Sequence, residues 1–166
     1  MSVIFEYFWA ADRDVAVEWA IGPGGDWLGE RPREETGVDG FDVKRIDAHV
    51  VLGQLVAFAE GRPFDSRTGP RLVRPDPDEV PYPHDTCPSA GTAWDSGVIL
   101  ERTPESWRDT LAGVVEDAVP MLSLQWCDIE EMRWDYEEAA ECVRMFAGLA
   151  RRARAAGAQL YCRFCA

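Results

Sequence analysis

Two short motifs contain the side chains that most often bind transition metals. His84-x-x-Cys87 lies in the middle of the sequence, and Cys162-x-x-Cys165 lies near its last residue. Three thiolates and one imidazole suit tetrahedral zinc, so these four residues are candidate zinc ligands. The alternative is that Cys162 is a core residue and Cys165 a frayed end, because residues three apart in a strand point to opposite faces. No other cofactor is expected.

Motifs for catalysis are absent from the sequence. A redox role for Cys162 and Cys165 is disfavoured, since reactive Cys-x-x-Cys pairs lie at helix N-termini. The chain has only two histidines and contains no G-x-S-x-G, phosphate-binding glycine loop or H-E-x-x-H. We therefore expect a protein that acts by binding, as an interaction, regulatory or toxin-neutralising module. The alternative is a small metal-binding protein or metal-dependent hydrolase.

An acidic run between residues 116 and 141 is a candidate surface for a basic protein partner. Glu131, Asp135 and Glu138 align on one helical face if the helix there begins early, and they are candidate partner-binding residues. The alternatives are a carboxylate site for Mg²⁺ or glycoside cleavage and, more simply, a solvated helix face.

Two tryptophans, Trp27 and Trp94, occur in polar segments rich in glycine and aspartate. Exposed loop aromatics can anchor partners, so both are candidate partner-binding residues. Packing of the loops onto the protein is the alternative.

The charge balance restricts the class of partner. The 166 residues include 17 Lys+Arg against 30 Asp+Glu, a net charge of −13. Such a chain is not expected to bind nucleic acid or anionic lipid directly. No stretch is long and apolar enough for a membrane span, and residues 1–14 lack the basic region of a secretory signal. With five cysteines, an odd number, we expect reduced thiols and a cytoplasmic location.

The pattern of apolar residues predicts a single α+β domain over residues 1–166. We expect a small mixed sheet, with the N- and C-terminal strands near its centre, packed by about four helices. Seven of the eleven prolines lie in residues 62–97, a density that excludes a long helix or a central strand. It predicts a loop that is either functional or an insertion without a role. The predicted strands are 2–9, 98–100, 121–127 and 158–165, and the predicted helices are 12–21, 47–60, 103–118 and 135–155. Asp12, Asp47 and Thr103 are expected to cap the first three helices, and Gly61 is expected to end the second. Val115 is expected on the apolar stripe of the third helix, and His49 at the surface near the Asp47 cap.

The two ends of the chain resemble the YfbM-like family, bacterial proteins of about this length with no assigned activity. The resemblance comprises the short aromatic N-terminal strand, DVKRIDAHVVLGQLVAFAEG (42–61) and MFAGLARRARAAGAQLYCRFC (145–165). It implies a mixed α+β fold and carries no catalytic motif. Two features depart from the family: His49 falls about one position from the family's His when Lys44-Arg45 is aligned, and the proline-rich middle has no counterpart.

Overall fold

In the computed structural model, the described part of the chain contains five strands and five α-helices. The structure describes residues 3–21, 38–78, 94–95, 97–132 and 134–165. The strands are β1 (Ile4–Ala10), β2 (Gly40–Lys44), β3 (Arg71–Arg74), β4 (Val98–Arg102) and β5 (Gln159–Cys165). The helices are α1 (Arg13–Ile21), α2 (Val51–Glu60), α3 (Glu105–Ala112), α4 (Val119–Cys127) and α5 (Tyr136–Ala155), with a 3-10 turn at Glu116–Ala118 before α4.

The five strands form one sheet in the order β2-β1-β5-β4-β3. The predicted α+β class is confirmed, and so is the inner position of the first and last strands. Every pairing among the described strands is antiparallel, whereas the sequence had suggested a mixed sheet. The register places Tyr7 opposite Cys162 and Glu6 opposite Arg163.

The two faces of the sheet bury different cores. Tyr7 and Cys162 lie on the face covered by α2 to α5, where the Tyr7 and Phe146 rings meet edge to face at 4.8 Å. Phe8 and Tyr161 lie on the other face, with α1 packed against them. Because side chains alternate between faces along each strand, this division follows directly from the register. No helix in the described part of the chain is long and apolar enough to cross a membrane.

Local capping signals predicted several element ends correctly. The Asp12 carboxylate accepts a hydrogen bond from the Val15 amide at 2.9 Å, at the start of α1. The Asp47 carboxylate accepts one from the Val50 amide at 2.7 Å, in the turn before α2. Gly61 ends α2 with a φ of 64°, in the left-handed region where glycine has no steric penalty.

The prediction of a strand over residues 121–127 is wrong, because this segment belongs to α4. Pro120 lies in the first helical turn, where its missing amide hydrogen removes no hydrogen bond. Leu122 and Trp126 are buried at helical spacing, and the Trp126 indole donates to the Val51 carbonyl oxygen at 2.8 Å. This contact with α2 favours the helix over a strand.

The predicted helix over 103–118 is shorter in the structure. It begins after Pro104 and ends before Gly113, and the Thr103 hydroxyl donates to the Leu160 carbonyl oxygen at 3.2 Å instead of capping the helix. Val115, predicted to lie on the buried stripe of this helix, is therefore 62% exposed.

Two strands lie where the sequence predicted loops. Both β2 and β3 are edge strands of the sheet. A Cβ atom at Gly40 in β2 would collide with the carbonyl oxygen of Tyr7, so glycine permits the close approach of β2 to β1. The edge position of β3 agrees with the expectation that the proline-rich segment contains no central strand.

Candidate functional site

The structure separates the two cysteines of the C-terminal motif. Both Cys162 and Cys165 lie within β5, three positions apart, and so they point to opposite faces of the sheet. Cys162 is fully buried against Tyr7, whereas Cys165 is partly exposed. His84 and Cys87 lie outside the described residues. A zinc site that uses them stays a prediction, but Cys162 and Cys165 are not placed to share one ion.

The two fully buried thiols of the described residues have raised pKa values. Burial raises the pKa of Cys162 well above its usual value and that of Cys142 to about 12. Within the described ranges, no group of three or more His, Cys, Asp or Glu residues is placed to hold a metal ion.

The predicted partner-binding acids lie on the surface, and two of them organise a helix end. Asp135 is the N-cap of α5, and its carboxylate accepts from the Glu138 amide at 2.9 Å. The Glu138 carboxylate accepts from the Asp135 amide at 3.2 Å, which completes a capping box. Glu131 is exposed and accepts from the Gln54 side chain at 3.1 Å. Their binding role stays a prediction.

Of the two candidate tryptophans, only Trp94 lies among the described residues. It is half-buried in a turn, in which its carbonyl oxygen accepts from the Gly97 amide at 3.1 Å. Trp27 lies outside the described residues. A partner-anchoring role for either residue stays a prediction.

The outer side of α4 and the turn before it combine exposed apolar and acidic side chains. Asp117, Met121, Leu124 and Asp128 follow one another at spacings of four, three and four, so they form one stripe along the helix. Met121 is 61% and Leu124 58% exposed. We call these four residues the α4 outer stripe; Val115 is also exposed just before the 3-10 turn.

Exposed apolar residues are concentrated in the α4 outer stripe and just before it. Six large apolar side chains of the described residues are more than a third exposed, and three of them lie between residues 115 and 124. Single exposed apolar residues are ordinary, whereas grouped ones rimmed by polar residues are a feature of many interaction surfaces. The sequence interpretation missed this stripe because a strand would have buried Leu124 together with Leu122 and Trp126.

A second acidic feature is a shallow groove between β2 and the first turns of α5. Its volume is about 260 Å³, and it joins three carboxylates to an indole ring and a thioether. Carboxylates beside an aromatic face are the groups that hold a lysine or arginine side chain. The lining residues are Asp42, Val43, Trp134, Glu138, Glu141, Cys142 and Met145.

A histidine–glutamate pair lies at the opposite end of α2 from its glycine cap. His49 Nε2 lies 2.8 Å from Glu101 Oε1, with the imidazole half exposed and the carboxylate buried. The hydrogen bond to Glu101 raises the pKa of His49. Sequence reasoning placed His49 at the surface near a cap but missed Glu101, whose only signal is an acidic residue directly after the apolar run 98–100.

Comparison with protein-family models, with curated proteins and with solved structures found no match for this chain. The resemblance of its two ends to the YfbM-like family therefore stays a prediction. The class of protein rests on the fold and on the surfaces described above.

Proposed function

We propose that this protein is a protein-interaction module that binds a basic partner through the α4 outer stripe. The observation that carries the proposal is the exposure of Met121 and Leu124 between Asp117 and Asp128. Apolar side chains at the centre and charges at the rim are the usual arrangement of a docking surface. A partner of matching chemistry presents apolar side chains surrounded by lysine or arginine.

Charge supports the choice of a basic partner. The chain carries −13, so its field attracts cationic surfaces and repels anionic ones. Glu116, which precedes the stripe, is paired with Arg144 at 2.7 Å, whereas Asp117 and Asp128 are exposed and form no ion pair within the described part of the chain. The groove beside Trp134 offers a second place for one basic side chain of the same or another partner segment.

This surface suits a regulatory or toxin-neutralising protein, whose task is to cover a basic site on its target. We propose a cytoplasmic location, because Cys127, Cys142, Cys162 and Cys165 are free thiols and that compartment keeps thiols reduced. A metal-binding protein or metal-dependent hydrolase stays the alternative prediction, since it depends on His84 and Cys87.

Site-specific photocrosslinking in the native host tests the docking surface. A photoreactive phenylalanine analogue at Leu124 is expected to yield a defined covalent adduct with one protein. The control position is Ile4, an exposed apolar residue of β1 that is 39% exposed. The same analogue at Ile4 is expected to yield no such adduct.

A matched pair of charge variants tests whether the acidic residues of the α4 outer stripe contribute to partner binding. Asp117→Asn/Asp128→Asn removes two charges from the stripe and is expected to reduce the yield of the Leu124 adduct. Asp14→Asn/Glu18→Gln removes the same charge from α1, on the other side of the sheet, and is expected to leave the adduct unchanged. Equal adducts from both positions, or equal loss in both charge variants, would contradict the proposal.

A further inference from the structure

A surface cleft at the β3 edge of the sheet has three arginines among its eight lining residues. It lies where β3 begins, β4 ends and α3 begins, and its volume is about 500 Å³. Arg67, Arg71 and Arg102 line it together with Thr68, Thr103 and Glu105. Three guanidinium groups in one cleft are unusual in a chain whose acidic residues outnumber its basic ones by 30 to 17.

Two of these arginines are held directly opposite each other by the register of the sheet. Arg71 of β3 and Arg102 of β4 are Cα partners in the antiparallel ladder. Both side chains are exposed, and within the described part of the chain neither forms an ion pair with a carboxylate. Like charges at directly opposed positions destabilise a sheet. Repulsion between the two arginines therefore lowers the stability of the unliganded protein. A bound anion would relieve this repulsion.

The other charged groups of the cleft do not neutralise Arg71 and Arg102. Arg67 is oriented by Asp65, whose carboxylate accepts from its Nε at 2.9 Å and from its Nη2 at 3.0 Å. Glu105 is the one acidic residue of the lining, and its carboxylate is engaged by Arg108 at 3.1 Å. No side chain caps the N-terminus of α3, so the backbone amides of its first turn add to the positive potential of the cleft.

We propose that this cleft binds a small phosphorylated ligand, with Arg71 and Arg102 clamping its phosphate oxygens. The planar guanidinium fork matches phosphate geometry and remains charged at every physiological pH. The cleft has the volume of a small-molecule site, which typically spans about 300–1,000 Å³. The site is separate from the α4 outer stripe, and so the proposal does not depend on the docking function.

Isothermal titration calorimetry with pyrophosphate, in a phosphate-free buffer of low ionic strength, tests the site. Wild-type protein is expected to bind one pyrophosphate per chain. Arg71→Gln and Arg102→Gln are each expected to weaken binding about tenfold or more, the loss typical of one charge-assisted hydrogen bond to phosphate. Arg144→Gln removes the same charge from α5 and is expected to leave the affinity unchanged.

A thermal unfolding measurement separates loss of binding from loss of folding. Without ligand, Arg71→Gln is expected to melt at the same temperature as the wild type or above it, because the opposed charges are relieved. Added pyrophosphate is expected to raise the melting temperature of the wild type more than that of the variant. No binding, equal weakening by Arg144→Gln, or tighter binding of citrate than of pyrophosphate would each overturn the proposal.

Discussion

Replacing Leu122 by alanine is expected to destabilise the protein far more than the same replacement at Leu124, although the two leucines lie two positions apart in α4. Leu122 is 6% exposed and belongs to the main core, whereas Leu124 is 58% exposed. The helix turns these neighbours to opposite sides. The pair therefore tests the division of α4 into a packing side and the α4 outer stripe.

The size of the difference follows from burial. A buried leucine truncated to alanine loses about 2–5 kcal/mol, which includes the cavity left behind. Leu124 has only about two fifths of its side chain covered, and a fully buried leucine contributes roughly 1.5–3 kcal/mol, so its truncation is expected to cost less than about 1 kcal/mol. For a chain of this size, a loss of about 3 kcal/mol lowers the melting temperature by roughly 6–12 °C.

Urea unfolding followed by tryptophan fluorescence and circular dichroism measures both variants. The midpoint of Leu122→Ala is expected to fall clearly at an unchanged m-value, and that of Leu124→Ala to stay close to the wild type. An alternating strand over 121–127 would place both leucines and Trp126 on one face. Equal destabilisation by the two substitutions would therefore refute the helical placement and the α4 outer stripe with it.

Three further measurements test other parts of the account. Asp135→Ala is expected to lose about 1 kcal/mol of stability through the α5 cap, and Asp135→Ser to keep most of it; equal losses by thermal unfolding would argue against the capping role. Because Glu101 raises the pKa of His49, the stability advantage of the wild type over His49→Gln is expected to be full below the unfolded-state pKa near 6.5 and to decline as pH rises through the folded-state value; a pH-independent difference would contradict the pairing. Native-state labelling with a thiol reagent is expected to spare Cys142 and Cys162, and rapid modification of either would be inconsistent with their burial.

Element ends were predictable where the signal is local. Asp12 and Asp47 accept backbone hydrogen bonds from residues three positions further on, and Gly61 supplies a left-handed conformation. Such signals can be read within a few residues of sequence. The long α5 helix was predicted for a similar reason, since its apolar stripe and the charged residues of its first and last turns lie within one segment.

Elements that depend on distant contacts were not predictable in the same way. The run 121–127 is short and apolar, and periodicity alone does not separate a strand from a buried helix of that length. The Trp126 hydrogen bond to Val51 joins α4 to α2, and the pairing of Gly40 with Phe8 creates β2; neither contact is visible in the local sequence.

The candidate sites likewise include features that are readable from the local sequence and features that depend on the fold. Composition identified the acidic surface, but the α4 outer stripe follows from the helical structure of 119–127. The arginine cleft depends on the register that sets Arg71 opposite Arg102, which only the folded sheet defines. The two cysteines of β5 were correctly expected to diverge if the strand continued past Arg163, and the strand does continue through Cys165.

The most direct test of the docking function is the association rate of the partner captured at Leu124, measured by stopped flow as a function of salt. Charges at the rim of an interface act mainly on association and are screened within a Debye length of about 10 Å at 0.1 M salt. The proposal predicts that the wild-type rate falls as salt rises, and that Asp117→Asn/Asp128→Asn lowers both the rate and its salt dependence, whereas Asp14→Asn/Glu18→Gln changes them far less. A rate that ignores salt, or that falls equally in the two variants, would contradict binding of a basic partner at the α4 outer stripe.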